Sequence, residues 1–297
     1  MIYLIPMENL KNKLDVLCDS EPFVSSWYVQ DLKTGRSISR NGTTCVRSAS
    51  TRKIAIMMAT LHQVHEGKLS LTDILLLDKH YRSNKSGCFQ FFSEDVSLTL
   101  QDALLMMIIV SDNACTGALM DTIGGIDAVN AYCKKIGMVH TMHRLPMGST
   151  ILVPVEKTNV TSACDVGTLL SNILKGSQSS TKALTILGVN KKLCELAIRI
   201  LKRQRLNQRM PLLLPYGVSV AHKTGTSGNN TFNDAGIVFG KNKHPLFILT
   251  SFNSEVPSVL SDGTPGHAAA GKLISTITRT CYDYFSDEQI KMYTIGS

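Results

Sequence analysis

The sequence predicts an α/β protein of the α+β kind, with an antiparallel sheet flanked by helices and an inserted all-helical lobe. Strand-like runs lie near both ends of the 297-residue chain, and helix-like runs fill its middle. An apolar content of 43% with 18% charged residues is typical of a globular protein. We therefore expect residues 1–45 and 212–297 to form one discontinuous α/β lobe, with residues 46–211 inserted as the helical lobe.

The first part of the chain alternates between helix and strand signals. Apolar spacing predicts a helix over residues 7–18, and β-rich runs predict strands over residues 24–29 and 36–38. The triplet Lys33-Thr34-Gly35 between these strands is typical of a turn. A helix then runs from Ser50 to about Gly67, a common helix-ending residue.

Capping signals divide the middle of the chain into helices. Thr99 and Ser162 are each followed three residues later by an Asp, which predicts helices that run to Val110 and Leu174. Further helices are expected over 127–136, 191–205 and 267–285, and strands over 218–226, 235–239 and 246–252.

Ser50 and Lys53 stand at the start of a helix that is apolar nearly all round, which predicts that the helix is buried. Residues three apart share a helix face, so the amine would face the hydroxyl. Burial disfavours an ammonium ion, so the lysine can act as a base and the serine as a nucleophile. A serine cap followed by an unrelated lysine is the alternative, because this spacing often occurs by chance.

Two later triplets favour the catalytic interpretation of Ser50 and Lys53. Ser111-Asp112-Asn113 follows an apolar run, and Lys223-Thr224-Gly225 lies on a strand-like run. The ordered set of Ser-x-x-Lys, Ser-Asp-Asn and Lys-Thr-Gly is the signature of class A β-lactamases and penicillin-binding proteins. From Val24 to the C-terminal helix the chain resembles this superfamily. The resemblance implies a β-lactamase/transpeptidase-like fold with the active site at the seam between the lobes.

The resemblance also implies a role for each motif residue. Ser50 would be the nucleophile, Lys53 its base, and Ser111 the group that passes a proton to the leaving nitrogen. Lys223 would hold this network and attract a substrate carboxylate, while the N–H groups of Ser50 and Thr226 would form the oxyanion hole. The remaining substrate-binding positions would be Asn113, Thr224, Gly225, Thr226 and Ser227.

One loop departs from the family pattern. In class A enzymes this loop carries an Arg, then the deacylating Glu two residues later, an Asn four after that, and an Asp near its end. Without gaps, these positions are Arg144, Pro146, Thr150 and Asn159 here. Proline cannot activate water, and the only acid in the loop is Glu156, far along it. The usual deacylating residue is therefore expected to be missing.

The sequence thus predicts a serine hydrolase that forms an acyl-enzyme at Ser50 with an amide, lactam or ester, and that is a poor penicillinase. It could be a β-lactamase in which Lys53 or Glu156 activates water, or a peptidase, amidase, esterase or transferase. The alternative is a non-turnover acyl-binding sensor, or receptor-like penicillin-binding protein. A catalytically silent scaffold is disfavoured because the motif serines and lysines are intact.

Composition limits the partners. The net charge is +8, but no block of Lys and Arg carries interleaved aromatic residues, so nucleic-acid binding is not expected. A small-molecule or peptide substrate bearing a carboxylate suits this charge. The mechanism that the resemblance implies calls for no metal and no organic cofactor. The eight cysteines lack metal-ligand spacing and are best interpreted as buried free thiols. His222 alternates away from Lys223 on its strand and is expected to be a sheet residue.

The first residues, Met1 to Met7, contain an apolar run that is too short for a signal peptide. No run in the sequence is long enough to span a membrane. We therefore expect a cytoplasmic monomer, or an exported protein whose leader has been removed.

Overall fold

The computed structural model describes residues 7–147, 153–228 and 230–286. The helices within these ranges are α1 (Met7–Asp19), α2 (Lys53–His65), α3 (Lys79–Arg82), α4 (Leu100–Ile109), α5 (Asn113–Thr122), α6 (Gly125–Lys135), α7 (Ala163–Ser177), α8 (Thr181–Leu187), α9 (Lys191–Leu201) and α10 (Gly266–Phe285). The strands are β1 (Val24–Asp31), β2 (Ser37–Arg40), β3 (Val46–Arg47), β4 (Ile74–Leu77), β5 (Val96–Thr99), β6 (Val160–Thr161), β7 (Ser219–Ser227), β8 (Thr231–Phe239) and β9 (Pro245–Ser254).

The main sheet has five antiparallel strands in the order β2-β1-β9-β8-β7. Its register places Trp27 opposite Ser251 and Lys223 opposite Ala235. The predicted fold class, an antiparallel sheet flanked by helices, is confirmed. All five strands come from residues 1–45 and 212–297, which supports the two-lobe division that we infer for the chain.

The sheet separates two apolar cores. On one face, α1 and α10 cover a core that includes Trp27 and Ile274. On the other face, a larger core joins the sheet to the central helices and includes every residue of α2 from Ile54 to Leu61 except the polar Thr60, which is itself buried. The helix without a polar face is therefore buried, as predicted. No helix in the described ranges is long and apolar enough to cross a membrane.

Local signals set several element boundaries. Thr99 and Ser162 accept hydrogen bonds from the amides of Asp102 and Asp165, so both predicted caps are formed. The first Lys-Thr-Gly triplet is a turn, in which the side chain of Thr34 donates to Asp31.

Other boundaries differ from expectation. The first turn of the predicted helix at Ser50 is a 3₁₀ turn, and α2 begins at Lys53. The basic helix α9 ends at Leu201, because the side chain of Gln204 and the amide of Arg205 bond instead to the last carbonyls of α4. The β4–β5 pair and α8 were not predicted, since short elements give weak periodicity.

The cysteines partly follow expectation. All eight are free thiols, and each lies in the described ranges. Five of them are buried, but Cys45 is exposed and Cys88 and Cys164 are half-buried, so burial does not hold for every thiol.

Gly167 lies where α7 packs closely against the sheet. A Cβ atom there would lie 2.3 Å from the ring of Tyr28, which is itself buried. We expect Gly167→Ala to lower the free energy of unfolding by roughly 1–3 kcal/mol through overpacking. This loss should outweigh the gain of about 1 kcal/mol that alanine has over glycine in a helix. Urea unfolding measures the change.

Gly271 in α10 is the matched control, because the nearest atom to its added Cβ would be 3.4 Å away. Gly271→Ala should be neutral, or stabilising by up to about 1 kcal/mol. Equal destabilisation by both substitutions would contradict this packing of α7 on the sheet.

Candidate active site

Ser50 lies in the 3₁₀ turn Ala49–Arg52 that leads into α2. Ala49 holds a left-handed conformation, with φ of 45°, which is uncommon for a residue with a side chain. Strand β7 passes directly behind this turn, since a Cβ atom on Gly225 would lie 3.1 Å from the amide nitrogen of Ser50. A glycine is therefore suited to this close approach of strand and turn.

Lys53 is the first residue of α2, and its side chain is fully buried. Its Nζ donates to the carbonyl oxygen of Ser111 at 2.7 Å and to Oδ1 of Asn113 at 2.8 Å, and it lies 3.1 Å from Oγ of Ser111. A neutral amine has two N–H donors and one lone pair, so it can donate to both carbonyl-type oxygens and keep its lone pair to accept a proton. The first and second motifs are thus joined through this nitrogen.

Burial holds the pKa of Lys53 well below its ordinary value of 10.5, and the nearby charges of Lys223 and Arg52 lower the pKa further. Asp112 and Cys115 act in the opposite direction, but they do not outweigh desolvation. The environment therefore favours the neutral amine, which is the form that can accept a proton.

The second motif contains a residue with a strained backbone, Ser111, and is held in place by a buried carboxylate, that of Asp112. Ser111 has a φ of 58°, and the chain turns there between α4 and α5. Asp112 caps α5 by accepting from the amide of Cys115, and its other oxygen accepts from the amides of Cys88 and Phe89. A single carboxylate thus connects the start of α5 to the segment that contains Cys88 and Phe89.

That segment, residues 84–89, is held close to the second motif. The amide of Asn113 donates to the carbonyl of Ser86, and its side-chain nitrogen donates to the carbonyl of Lys85. Gly87 has a φ of 90°, and a Cβ atom there would lie 2.1 Å from the carboxylate of Asp112. This polar segment is therefore packed closely beside the candidate site.

Lys223 of the third motif is also fully buried. Its Nζ donates to the carbonyl of Thr224, and burial lowers its pKa from 10.5 to about 7, although nearby Asp234 raises it. Asp234 also lies 2.9 Å from Nδ1 of His222, whose other ring nitrogen is 3.1 Å from Asn207. His222 is therefore a buried sheet residue, as predicted.

Arg209 is a site residue that the sequence did not indicate. Its guanidinium donates to the carbonyl of Gly225 at 2.7 Å and to the hydroxyl of Thr226 at 2.6 Å. It thus places a positive charge at the exposed end of β7, where Thr226 reaches solvent and Ser227 is half-buried. A lone arginine in a basic stretch gives no sequence signal for such a position.

The loop that departs from the family pattern keeps its ends together. Oδ1 of Asn159 accepts from the amides of Arg144 and Leu145, and the guanidinium of Arg144 donates to the carbonyl of Thr158. Arg144 and Asn159 therefore meet, which supports the alignment without gaps. Thr150 lies outside the described residues.

Pro146, at the expected Glu position, lines a cavity of about 590 Å³ with Met147. Tyr81 and Asp121 also line this cavity, and the hydroxyl of Tyr81 donates to the carboxylate of Asp121. Ser50 is not among the lining residues. The described part of this loop therefore lies beside open space.

The fold resembles solved structures of known proteins. PBP-A aligns with a TM-score of 0.80 at 24% identity, over 95% of this chain and 97% of PBP-A. A β-lactamase from Sphaerobacter thermophilus aligns with a TM-score of 0.79 at 23% identity, over 94% and 97% of the two chains. At these identities the likeness concerns the fold alone.

Sequence relatives extend the comparison. β-Lactamase BRO-1 of Moraxella catarrhalis is 28% identical over 209 residues, which are 67% of this chain but only 61% of the length of BRO-1. The extended-spectrum β-lactamase PER-1 of Pseudomonas aeruginosa is 25% identical over 246 residues, 79% of this chain and 74% of PER-1. The Beta-lactamase enzyme family model matches residues 9–285, so the chain belongs to this family.

Proposed function

We propose that this protein is a serine hydrolase that acts through an acyl-enzyme at Ser50 and releases penicillin-derived acyl groups slowly. The observation that carries this proposal is the buried amine of Lys53, which Ser111 and Asn113 hold at the first position of α2, directly after the 3₁₀ turn that contains Ser50. The missing carboxylate at Pro146 supports the slow release. Membership of a β-lactamase family supports the class of reaction.

In the proposed first step, Oγ of Ser50 attacks the carbonyl carbon of the substrate. Its proton passes to the lone pair of the neutral Lys53 amine, which becomes an ammonium ion. Negative charge develops on the carbonyl oxygen and is stabilised by the N–H groups of Ser50 and Thr226. The contact between Gly225 and the amide of Ser50 supports this pairing of turn and strand.

The proton must then reach the leaving nitrogen. Lys53 lies 3.1 Å from the hydroxyl of Ser111, which can donate its own proton to that nitrogen while it receives one from the ammonium. The carbon–nitrogen bond breaks, and the acyl group remains on Ser50. Lys53 returns to the neutral form that its burial favours.

Deacylation lacks the usual base. Pro146 cannot accept a proton, and Glu156 lies exposed in a 3₁₀ turn, with no hydrogen bond to the motif residues among those of the described chain. A general base contributes on the order of a hundred- to ten-thousand-fold to a rate. We infer that the natural acyl group leaves to an acceptor that another group positions, or to water activated by Lys53.

The substrate class follows from the charge on β7. Lys223 and Arg209 lie along this strand beside the hydroxyls of Thr224 and Thr226. We propose a small molecule or peptide with a carboxylate on one side of the scissile bond.

A second candidate is a sensor that is acylated and stays so. The observation that favours it is the same loop, since a protein that must retain its acyl group has no use for a water-activating carboxylate. A sensor would differ from a hydrolase or transferase in its response to acceptors, because neither an amine nor water would release the acyl group from Ser50.

We expect benzylpenicillin or nitrocefin to give a burst close to one equivalent of product, followed by a long-lived adduct. The reason is that acylation has its base, Lys53, while deacylation does not. Stopped-flow absorbance measures the burst, and peptide mass spectrometry locates the adduct on Ser50.

Ser50→Ala should abolish the adduct. Ser48→Ala is the matched control, because Ser48 lies in the same segment with its hydroxyl bonded to the carbonyl of Asn159, and it should label normally. Rapid steady turnover without an adduct would contradict the loop assignment, and its loss in Glu156→Gln would identify that residue as the base. Release of the adduct by added amines would favour a transferase over a sensor.

We also expect a pH-dependent preference for anionic substrates. The pKa of Lys223 is lowered to about 7, so its positive charge is present below that pH and lost above it. The acylation rate constant for an anionic substrate, divided by that for a neutral ester, should fall by roughly ten- to a hundredfold as pH rises through 7. This ratio cancels the contribution of Lys53, which is common to both substrates.

Lys223→Ala should give the low ratio at every pH. Asp234→Asn should move the fall to lower pH, because Asp234 raises the pKa of Lys223. A ratio that is independent of pH in the unmodified protein would show that Lys223 does not select the carboxylate.

A further inference from the structure

In the sequence, Arg52 stands between the proposed nucleophile, Ser50, and its base, Lys53. The proposed mechanism gives Arg52 no role. The residue is only 5% exposed. Its Nη1 donates to the carbonyl of Leu145 at 3.0 Å, and its Nη2 lies 2.5 Å from Sδ of Met147. No carboxylate among the described residues forms an ion pair with it. A buried charge is normally paired, so an unpaired guanidinium at this position calls for an explanation.

The contacts of Arg52 join two parts of the site. The side chain leaves the 3₁₀ turn that carries Ser50 and binds both neighbours of Pro146 in the loop. Asn159 holds the same loop from its other side through the amides of Arg144 and Leu145. The segment beside Pro146 is thus fixed between Arg52 and Asn159.

Arg52 also keeps its charge at neutral pH, since burial lowers its pKa only to about 10. It lowers the pKa of Lys53 and, together with burial, that of His143 to about 3. His143 is therefore neutral, and its buried Nε2 has no hydrogen-bond partner among the described residues. The other groups that face Lys53 are Lys223, which acts in the same direction, and Asp112 and Cys115, which oppose it.

We propose that Arg52 is a positioning residue for the reaction of Ser50: its guanidinium fastens residues 145–147 to the nucleophile turn and places an unpaired positive charge beside Lys53. This inference rests on the proposed function, in which Lys53 accepts the proton of Ser50. The charge makes protonation of Lys53 less favourable, while the hydrogen bond keeps the loop against the turn.

The test is the pH profile for acylation of Ser50 by a neutral activated ester, measured with Arg52→Met and Arg52→Gln. Both variants remove the charge, and the apolar Arg52→Met guards against a folding failure, because replacing a buried charge by an apolar side chain is often tolerated. The acidic limb should move to higher pH, because loss of the positive charge raises the pKa of Lys53, and acylation below the midpoint should become slower. Hydrogen exchange at the amides of Arg144 and Leu145 should become faster.

Arg47→Gln is the matched control. Arg47 also donates to a carbonyl of this loop, that of Val153, but it is not among the groups that shift the pKa of Lys53. Its pH profile and the exchange at Arg144 and Leu145 should stay unchanged.

The failures of the two proposals are distinguishable. A protein that forms no adduct at Ser50 would refute the proposed function. An adduct with an unshifted profile in both Arg52 variants would overturn the electrostatic role, and unchanged exchange would overturn the fastening of the loop. The exchange measurement needs no activity, so it stands in either case.

Discussion

The amine of Lys53 is enclosed in the protein, where an ammonium ion loses most of its hydration. Oxygen atoms of Ser111 and Asn113 surround it, and no carboxylate of the described chain forms an ion pair with it. Because desolvation disfavours the charged form, the environment that buries this side chain also prepares it to accept a proton. The segments around Lys53 supply the oxygen atoms that bind this nitrogen.

Two strained residues show how tightly the site is determined. Ala49 and Ser111 both have positive φ values, 45° and 58°, which cost of order 1–3 kcal/mol each for residues with side chains. Each lies where a motif turns toward Lys53. The carboxylate of Asp112 offsets part of this cost by bonding to three backbone amides, and Gly87 leaves the space that it occupies. Similar backbone strain recurs at functional sites generally, because only a well-packed surrounding structure can maintain it.

Much of this was predictable from local sequence. The apolar surface of α2 predicted its burial, the caps at Thr99 and Ser162 predicted two helix starts, and the ordered motifs predicted which segments would meet. Arg52 and Arg209 were not predictable, because their importance lies in distant backbone partners, the carbonyls of Leu145 and Gly225. How far the lysine pKa values are lowered also depends on burial, and a sequence does not specify the burial of each residue. The absence of a Glu at position 146 could be predicted only because the family pattern defined where to look.

Burial of Lys53 is expected to favour its neutral amine over the ammonium ion in the folded protein. Nuclear magnetic resonance of protein labelled with ¹³C at the lysine ε position, assigned with Lys53→Arg, measures its protonation directly. The account predicts that Lys53 titrates well below 10.5, the ordinary pKa of a lysine. A titration midpoint near 10.5 would contradict the account, because Lys53 would then be an ammonium ion with no capacity to accept the proton of Ser50.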